Sequence, residues 1–270
     1  MLTRRALVPF FVLSFAIAWG IIAAYLLAPD FMAVFGPLTG NHPLFFLATY
    51  APAIAALSIV MARTGVAGLR SFLGRLLLWR CSWGWLVFLV IGLPLVFYAG
   101  FFIKGQQLDD PFPFPSLAGY LVAALLMAVK GPVEELGWRG LALPLLQRGM
   151  APFWAALLLG AIWGLWHLPA FWLSGTPQSA WSFTPFFVGA VAISVIVTAM
   201  FNQTGGSILL PAFFHFQLIN PLWPDAQPYD TYLLVVIAGL VVWSDRKAQF
   251  SNTAGLTDVV PGLAGKHRED

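Results

Sequence analysis

The sequence predicts an all-α membrane protein, a bundle of about eight transmembrane helices with an amphipathic helix on its cytoplasmic-side surface. Three observations predict it. Hydrophobic residues make up 60% of the 270 and charged residues only 9%, against about 25% charged in soluble domains, and the mean hydropathy is +0.82. So few charges cannot clothe a water-facing surface. The apolar runs are long and do not alternate, which fits helices of about 20 residues and excludes barrel strands, because backbone groups in lipid need partners within the segment or in a closed barrel. Lastly, arginine and lysine collect on alternate connections between the runs.

Taken in order, the apolar segments run over 6–28, 44–62, 83–103, 117–132, 151–173, 183–201, 207–223 and 232–243. The first follows Arg4 and Arg5 and lacks a convincing small-residue cleavage site, so it reads as an uncleaved signal anchor. Between the second and third, Leu69, Phe72, Leu73, Leu76 and Leu77 recur at helical spacing with Arg70 and Arg75 off that stripe, which predicts a helix lying on the inner membrane face. The eighth segment is short for a full crossing. With the amino terminus inside, the inner side collects Arg4, Arg5, Arg63, Arg70, Arg75, Arg80, Arg139, Arg148, Arg246, Lys247, Lys266 and Arg268. The outer side holds only Lys104, together with Asp30, Asp109, Asp110, Asp225 and Asp230. An odd number of spans would put one basic end outside, so the count is even and both termini are cytoplasmic. The expectation is an integral protein of a bacterial cell membrane, with residues 1–248 a single membrane domain in the lipid bilayer. Residues 249–270, polar and glycine-rich, are expected to form a flexible cytoplasmic tail.

The sequence pI of about 9.2 comes from short basic clusters beside apolar runs, which membrane topology explains and nucleic-acid binding does not. Lone Cys81 excludes an internal disulfide and a cysteine-rich zinc site.

In a chain this poor in charge, ionisable groups within spans mark a functional site by default. Glu134 and Glu135 are adjacent, and neighbouring helical residues point about 100° apart, so the two cannot share one job. Glu135 and Arg139 have the four-residue spacing at which carboxylate and guanidinium meet. That leaves Glu134 to act as a base, with Lys130 one turn before it as a pairing partner. The bland alternative is a cytoplasmic loop in which both glutamates make ordinary salt bridges. His167 lies inside the fifth segment with Trp163 one turn earlier on the same face, and His215 lies in the seventh after Pro211, which is expected to kink that helix. A single intramembrane histidine is most often a satisfied core residue; two histidines and two glutamates in one small bundle are harder to read so. His42 and His267 carry no assigned role.

The pattern resembles the CAAX protease and bacteriocin-processing family of membrane proteins, the group that includes the Ras-converting endopeptidase. Its EExxxR motif is matched by Glu134, Glu135 and Arg139, followed by Gly140. Its aromatic residue, three residues and histidine are matched by Trp163 and His167. Its third motif, a histidine late in a span after an Asn, Gly and Ser turn, is matched by Asn202, Gly205, Gly206, Ser207, Pro211 and His215. The departure is at the end of that motif, where the fourth residue after His215 is Ile219 and the nearest asparagine is Asn220. On a regular helix five residues is about 140° from the histidine's face; Pro221 follows, which favours a helix end there that swings Asn220 round. The resemblance covers mainly residues 117–223, with a weaker likeness in the basic helix ending at Arg80.

The resemblance implies an intramembrane endopeptidase acting on a membrane-associated protein or peptide, with Glu134 as general base and His167 helping to hold the water. It implies His215 and Asn220 as oxyanion stabilisers, and Glu135, Arg139 and Trp163 as supporting or substrate-binding residues. The site is expected to open toward the cytoplasmic side, where the charge pattern puts the first motif. No serine, threonine or cysteine has a nucleophile setting. Two histidines and a glutamate are a known zinc ligand set, but the HExxH spacing is absent, so a site without metal or cofactor is preferred and zinc is the rival. Non-catalytic alternatives are a membrane binding protein, such as a bacteriocin-immunity protein, and, last, a transporter, which the absence of paired halves disfavours.

Overall fold

The computed structural model describes residues 2–173 and 175–262, which form helices joined by irregular connections, with no strand among them. Eight apolar helices form the bundle: α1 (Leu7–Leu27), α2 (Pro43–Gly74), α3 (Trp83–Ile103), α4 (Leu117–Gln147), α5 (Pro152–Trp166), α6 (Phe183–Gln203), α7 (Leu209–Leu218) and α8 (Tyr229–Ser244). Six of the runs are long and apolar enough to cross a membrane, whereas α7 and α8 are shorter. Each of the eight segments read from the sequence thus becomes a helix, but the last two fall below a full crossing length.

Local chemistry sets the helix boundaries. His42, given no role from sequence, caps α2: its Nδ1 accepts from the Leu44 amide at 3.1 Å. Ser82 and Ser116 cap α3 and α4 in the same way through their hydroxyls. Within α2, Gly65 adopts φ 65° and ψ −168°, a conformation that costs glycine little and other residues much. The chain bends there into an arm, residues 66–77, that corresponds to the expected surface helix. Its inward face does more than skim the membrane. Phe72 is fully buried and Arg75 is 2% exposed, although sequence spacing puts Arg75 on the solvent side.

The bundle closes around the second half of α4, where Trp138, Leu141, Leu143 and Leu145 are fully buried. By contrast Leu117–Lys130 contributes no buried residue. Small residues let neighbours approach, as expected where lipid rather than water surrounds the helices. A Cβ at Gly137 would come within 2.6 Å of the Pro52 carbonyl oxygen, so α2 and α4 touch backbone to backbone only with glycine there.

Two sets of cross-links define the ends of the bundle. On one face the Arg148 guanidinium donates to the carbonyls of both Leu2 and Thr257, and the side-chain amides of Gln147 and Asn202 pair reciprocally. We call this the terminal face, because the described chain ends meet there. On the other, the loop face, Lys104 Nζ lies 2.7 Å from Asp225 Oδ2, Trp181 Nε1 donates to Asp225 Oδ1, and the Gly40 amide donates to the Gly175 carbonyl.

Residues 250–262 depart from the expected flexible tail. The carbonyls of Leu256, Thr257, Val259 and Pro261 accept from Gln147, Arg148, Arg75 and Ser71 in turn, and Val259 is buried. The segment therefore straps the terminal face; it lacks a hydrophobic period because its backbone, not an apolar stripe, makes the contacts. Lys266, His267 and Arg268 lie outside the described residues.

Candidate active site

The site is built on a broken helix. Gly131 and Pro132 interrupt α4 after Lys130, and a 3-10 turn, Pro132–Glu134, follows it. The interruption leaves the Val129 carbonyl to the Tyr50 hydroxyl, which donates to it at 2.7 Å. A π-helical turn, Trp138–Ala142, then widens α4 within the EExxxR motif, the kind of local insertion that recurs at functional sites. Pro144 has no amide hydrogen for the Gly140 carbonyl four residues earlier. That carbonyl accepts instead from Arg75 Nη1 at 2.7 Å.

Glu134 and Glu135, both buried, diverge as their adjacency requires. Glu134 Oε2 accepts from two indoles, Trp163 Nε1 at 2.9 Å and Trp138 Nε1 at 3.2 Å. No hydrogen bond among the described residues occupies its Oε1, and Glu134 lines a cavity of about 580 Å³. Glu135 turns the other way: its Oε1 meets Arg139 Nη1 at 3.0 Å, the pairing that the four-residue spacing predicts. The same oxygen accepts from His215 Nδ1 at 2.9 Å.

Trp163 is the hub. Its ring stands 5.3 Å from that of His167 and 5.6 Å from that of His215, and the Arg139 guanidinium carbon lies 5.2 Å above it. His167 Nδ1 is 2.8 Å from the Trp163 carbonyl, an acceptor only, so the proton sits on Nδ1 and neutral His167 has a bare Nε2. The α7 helix ends at Leu218 and Ile219 leaves helical geometry, which brings buried Asn220 to the cavity beside His215 and His167. Its side chain is held by Gln217 Oε1 and by the Leu222 amide. Glu134, His167, His215, Asn220 and Trp163 therefore line one cavity; Glu135 and Arg139 sit behind it.

Three expectations are corrected. Lys130 makes no salt bridge with Glu134 among the described residues; its Nζ donates to the Gly40 carbonyl at 2.6 Å and lies over the rings of Phe45 and Phe46. Pro211 kinks nothing, because α7 starts at Leu209 and Pro211 falls in its first turn, where an amide has no helical partner to lose. The cavity, expected on the side of the termini, opens at the loop face, where Gln178, Trp181, Asp225 and Gln227 line it. Among the described residues none from the chain ends or from 63–82, 139–151 or 203–208 does so.

Sequence reasoning missed two contributors. Trp138 is Glu134's second donor, and its position one turn after the glutamate was the available signal. Arg75 donates to the carbonyls of Gly140, Gly206 and Val259, far apart in sequence, and nothing local announces that. Among the described residues no group of three His, Cys, Asp or Glu side chains is placed to hold a metal.

The order and spacing of these groups find a counterpart in known proteins. Residues 113–219 match the family described as type II CAAX prenyl endopeptidase Rce1-like. Over these residues the chain is similar to the CAAX protease family. The matched stretch holds Glu134, Glu135, Arg139, Trp163, His167 and His215 and stops one residue short of Asn220. A curated relative, CAAX prenyl protease 2 of Methanococcus maripaludis, is 30% identical over 160 residues. That alignment takes in 55% of this chain and 58% of the relative, so the chain spans somewhat over half the length of the curated CAAX-family protein it matches.

Proposed function

We propose that this protein is an intramembrane endopeptidase that uses a glutamate-activated water to cut a peptide bond in a membrane-associated protein or peptide. The observation that carries the reading is the split between the two glutamates. Glu134 presents Oε1 to a cavity shared with His167, His215 and Asn220, while Glu135 is spent on Arg139 and His215. Peptide hydrolysis needs a base, a stabiliser for the tetrahedral oxyanion and a proton for the leaving amine. Glu134 Oε1 takes a proton from the water as its oxygen bonds to the carbonyl carbon, and later returns that proton to the amine as the carbon–nitrogen bond breaks. His167, through Nε2, accepts the water's second hydrogen and orients it. His215, whose Nδ1–H is held by Glu135, acts as the imidazolium and offers its Nε2–H to the oxyanion, with the Asn220 amide beside it. The two indoles on Oε2 fix the carboxylate and leave one oxygen for chemistry. The similarity to the CAAX prenyl endopeptidase family and to the protease-named relative supports the same reading.

The test is purified full-length protein in a membrane mimetic with a panel of membrane-anchored peptides, with and without a chelator. Wild type is expected to cut at least one peptide equally in both, and Glu134→Gln to cut none while remaining folded. Cleavage that stops with chelator and returns with zinc would replace the metal-free mechanism by a metallopeptidase. Full cleavage by Glu134→Gln would remove Glu134 as the base.

A further inference from the structure

The two faces of the bundle differ in charge, and the cavity opens on only one of them. The terminal face carries the exposed cations Arg4, Arg5, Arg63, Arg70, Arg80, Arg148, Arg246 and Lys247. Arg75 and Arg139 also come from that half of the sequence pattern, but both are buried and count for nothing in topology. At the loop face the cations are Lys104, held by Asp225, and Lys130, held on the Gly40 carbonyl, and the exposed charges are Asp30, Asp109, Asp110 and Asp225. Lysine and arginine in short connections near span ends are retained in the cytoplasm, while acidic residues contribute little. Removing the two buried arginines leaves the asymmetry intact, so the terminal face is the cytoplasmic one.

The cavity runs the other way. Its wall is taken from the loop-face ends of the helices and from the connections between them: Phe45 and Thr49 at the start of α2, Trp181 before α6, and Asp225 and Asp230 around the start of α8. Glu134 and Trp163 lie in the same cavity about half-way along their spans, together with His215 from the shorter α7. On the terminal side the buried block Trp138–Leu146 stands beneath them, and the arm and strap cover that block through Phe72, Arg75 and Val259. Water or peptide coming from the terminal face meets packed side chains.

We infer that the glutamate site is entered from the extracytoplasmic side of the membrane, and that its substrates are membrane-bound proteins or peptides whose scissile segment lies on that side. A cytoplasmic tail would have to cross the bilayer to reach Glu134. The substrate class rests on the peptidase reading above; the side of entry rests on the cavity and the charges alone.

Full-length protein is expressed in a bacterium with Cys81→Ala, and single cysteines are introduced at Ala180 or Gln106 on the loop face and at Lys247 on the terminal face. Spheroplasts are treated with a membrane-impermeant maleimide before or after lysis. Ala180→Cys and Gln106→Cys are expected to label in intact spheroplasts, and Lys247→Cys only after lysis. Labelling of Lys247→Cys before lysis, alone or together with the others, overturns the inferred entry side whatever the activity. The substrate class is read with two anchored reporters, one carrying its cleavable segment outside and one inside. Cutting of the outside reporter alone, lost in Glu134→Gln, supports the class, and cutting of the inside reporter alone overturns it. Neither reporter cut, with labelling as expected and purified protein also inactive on peptides, removes the peptidase reading and leaves the entry side standing.

Discussion

His215 is tied to the glutamate that does not face the cavity: its Nδ1 lies 2.9 Å from Glu135 Oε1, the oxygen that also meets Arg139 at 3.0 Å. Glu135 thus joins α4 to α7 and sets which nitrogen His215 turns to the site. Breaking a buried pair by removing one partner typically costs about 3–5 kcal/mol, because the other charge stays buried alone. Glu135→Ala is expected to lower the folded yield and melting temperature in detergent sharply. Glu134→Gln, which removes no charge partner, is expected to melt near wild type and to be inactive. The reverse ranking of the two melting temperatures would mean that the glutamates have exchanged roles.

Trp163 gives a subtler variant. Trp163→Phe keeps an aromatic ring between Arg139 and the two histidines but removes the 2.9 Å donor to Glu134 Oε2. A hydrogen bond to a charged group is worth about 1.5–3 kcal/mol, so kcat is expected to fall roughly 10- to 100-fold with KM little changed. Trp138→Phe removes the longer of the two bonds, at 3.2 Å, and is expected to cost less. Equal activity of Trp163→Phe and wild type would show that the carboxylate does not depend on its indole clamp.

What could be read from the chain was what is local. Glu135 with Arg139, and Trp163 with His167, are one helical turn apart, and spacing alone brings each pair together. Pro211 was misread because its effect depends on where α7 begins, which is set by the turn through Gly205, Gly206 and Ser207. Arg75 reads as a surface cation in the sequence because its partners come from Gly140, Gly206 and Val259, 65 to 184 residues away. The face on which the cavity opens was misread for the same reason. Charges fix the orientation of the spans, but the open half is decided by which helix ends pack together, and no single segment holds that information.

Gly131 sits where α4 breaks, and its missing side chain makes room for His215. A Cβ there would lie 2.9 Å from His215 Nε2 and 2.6 Å from Ile219 Cδ1. Ile219 can rotate away, whereas His215 is held at its other nitrogen by Glu135. Gly131→Ala is expected to cut kcat/KM at least tenfold with the melting temperature near wild type. Gly239→Ala, in α8 with open space around it, serves as the control and is expected to change neither. An active Gly131→Ala protein would show that His215 Nε2 is not needed at that place.

Arg75 carries the last test, because it fastens three separate parts of the terminal face. Nε donates to the Gly206 carbonyl at 2.8 Å, and Nη1 to those of Gly140 at 2.7 Å and Val259 at 3.1 Å. Gly140 most needs it, since Pro144 supplies no amide there. Arg75→Met keeps the stem against Phe72 and Phe201 but leaves buried carbonyls unpaired, at about 1–3 kcal/mol for each that water cannot reach. A stop after Gln249 removes the strap and, of the three Arg75 bonds, only the one to Val259, so Arg75 keeps Gly140 and Gly206. Arg75→Met is therefore expected to lower the melting temperature more than the truncation does, and to expose residues 250–262 to added protease. A truncation as damaging as Arg75→Met would move the weight of the clasp from the guanidinium to the strap.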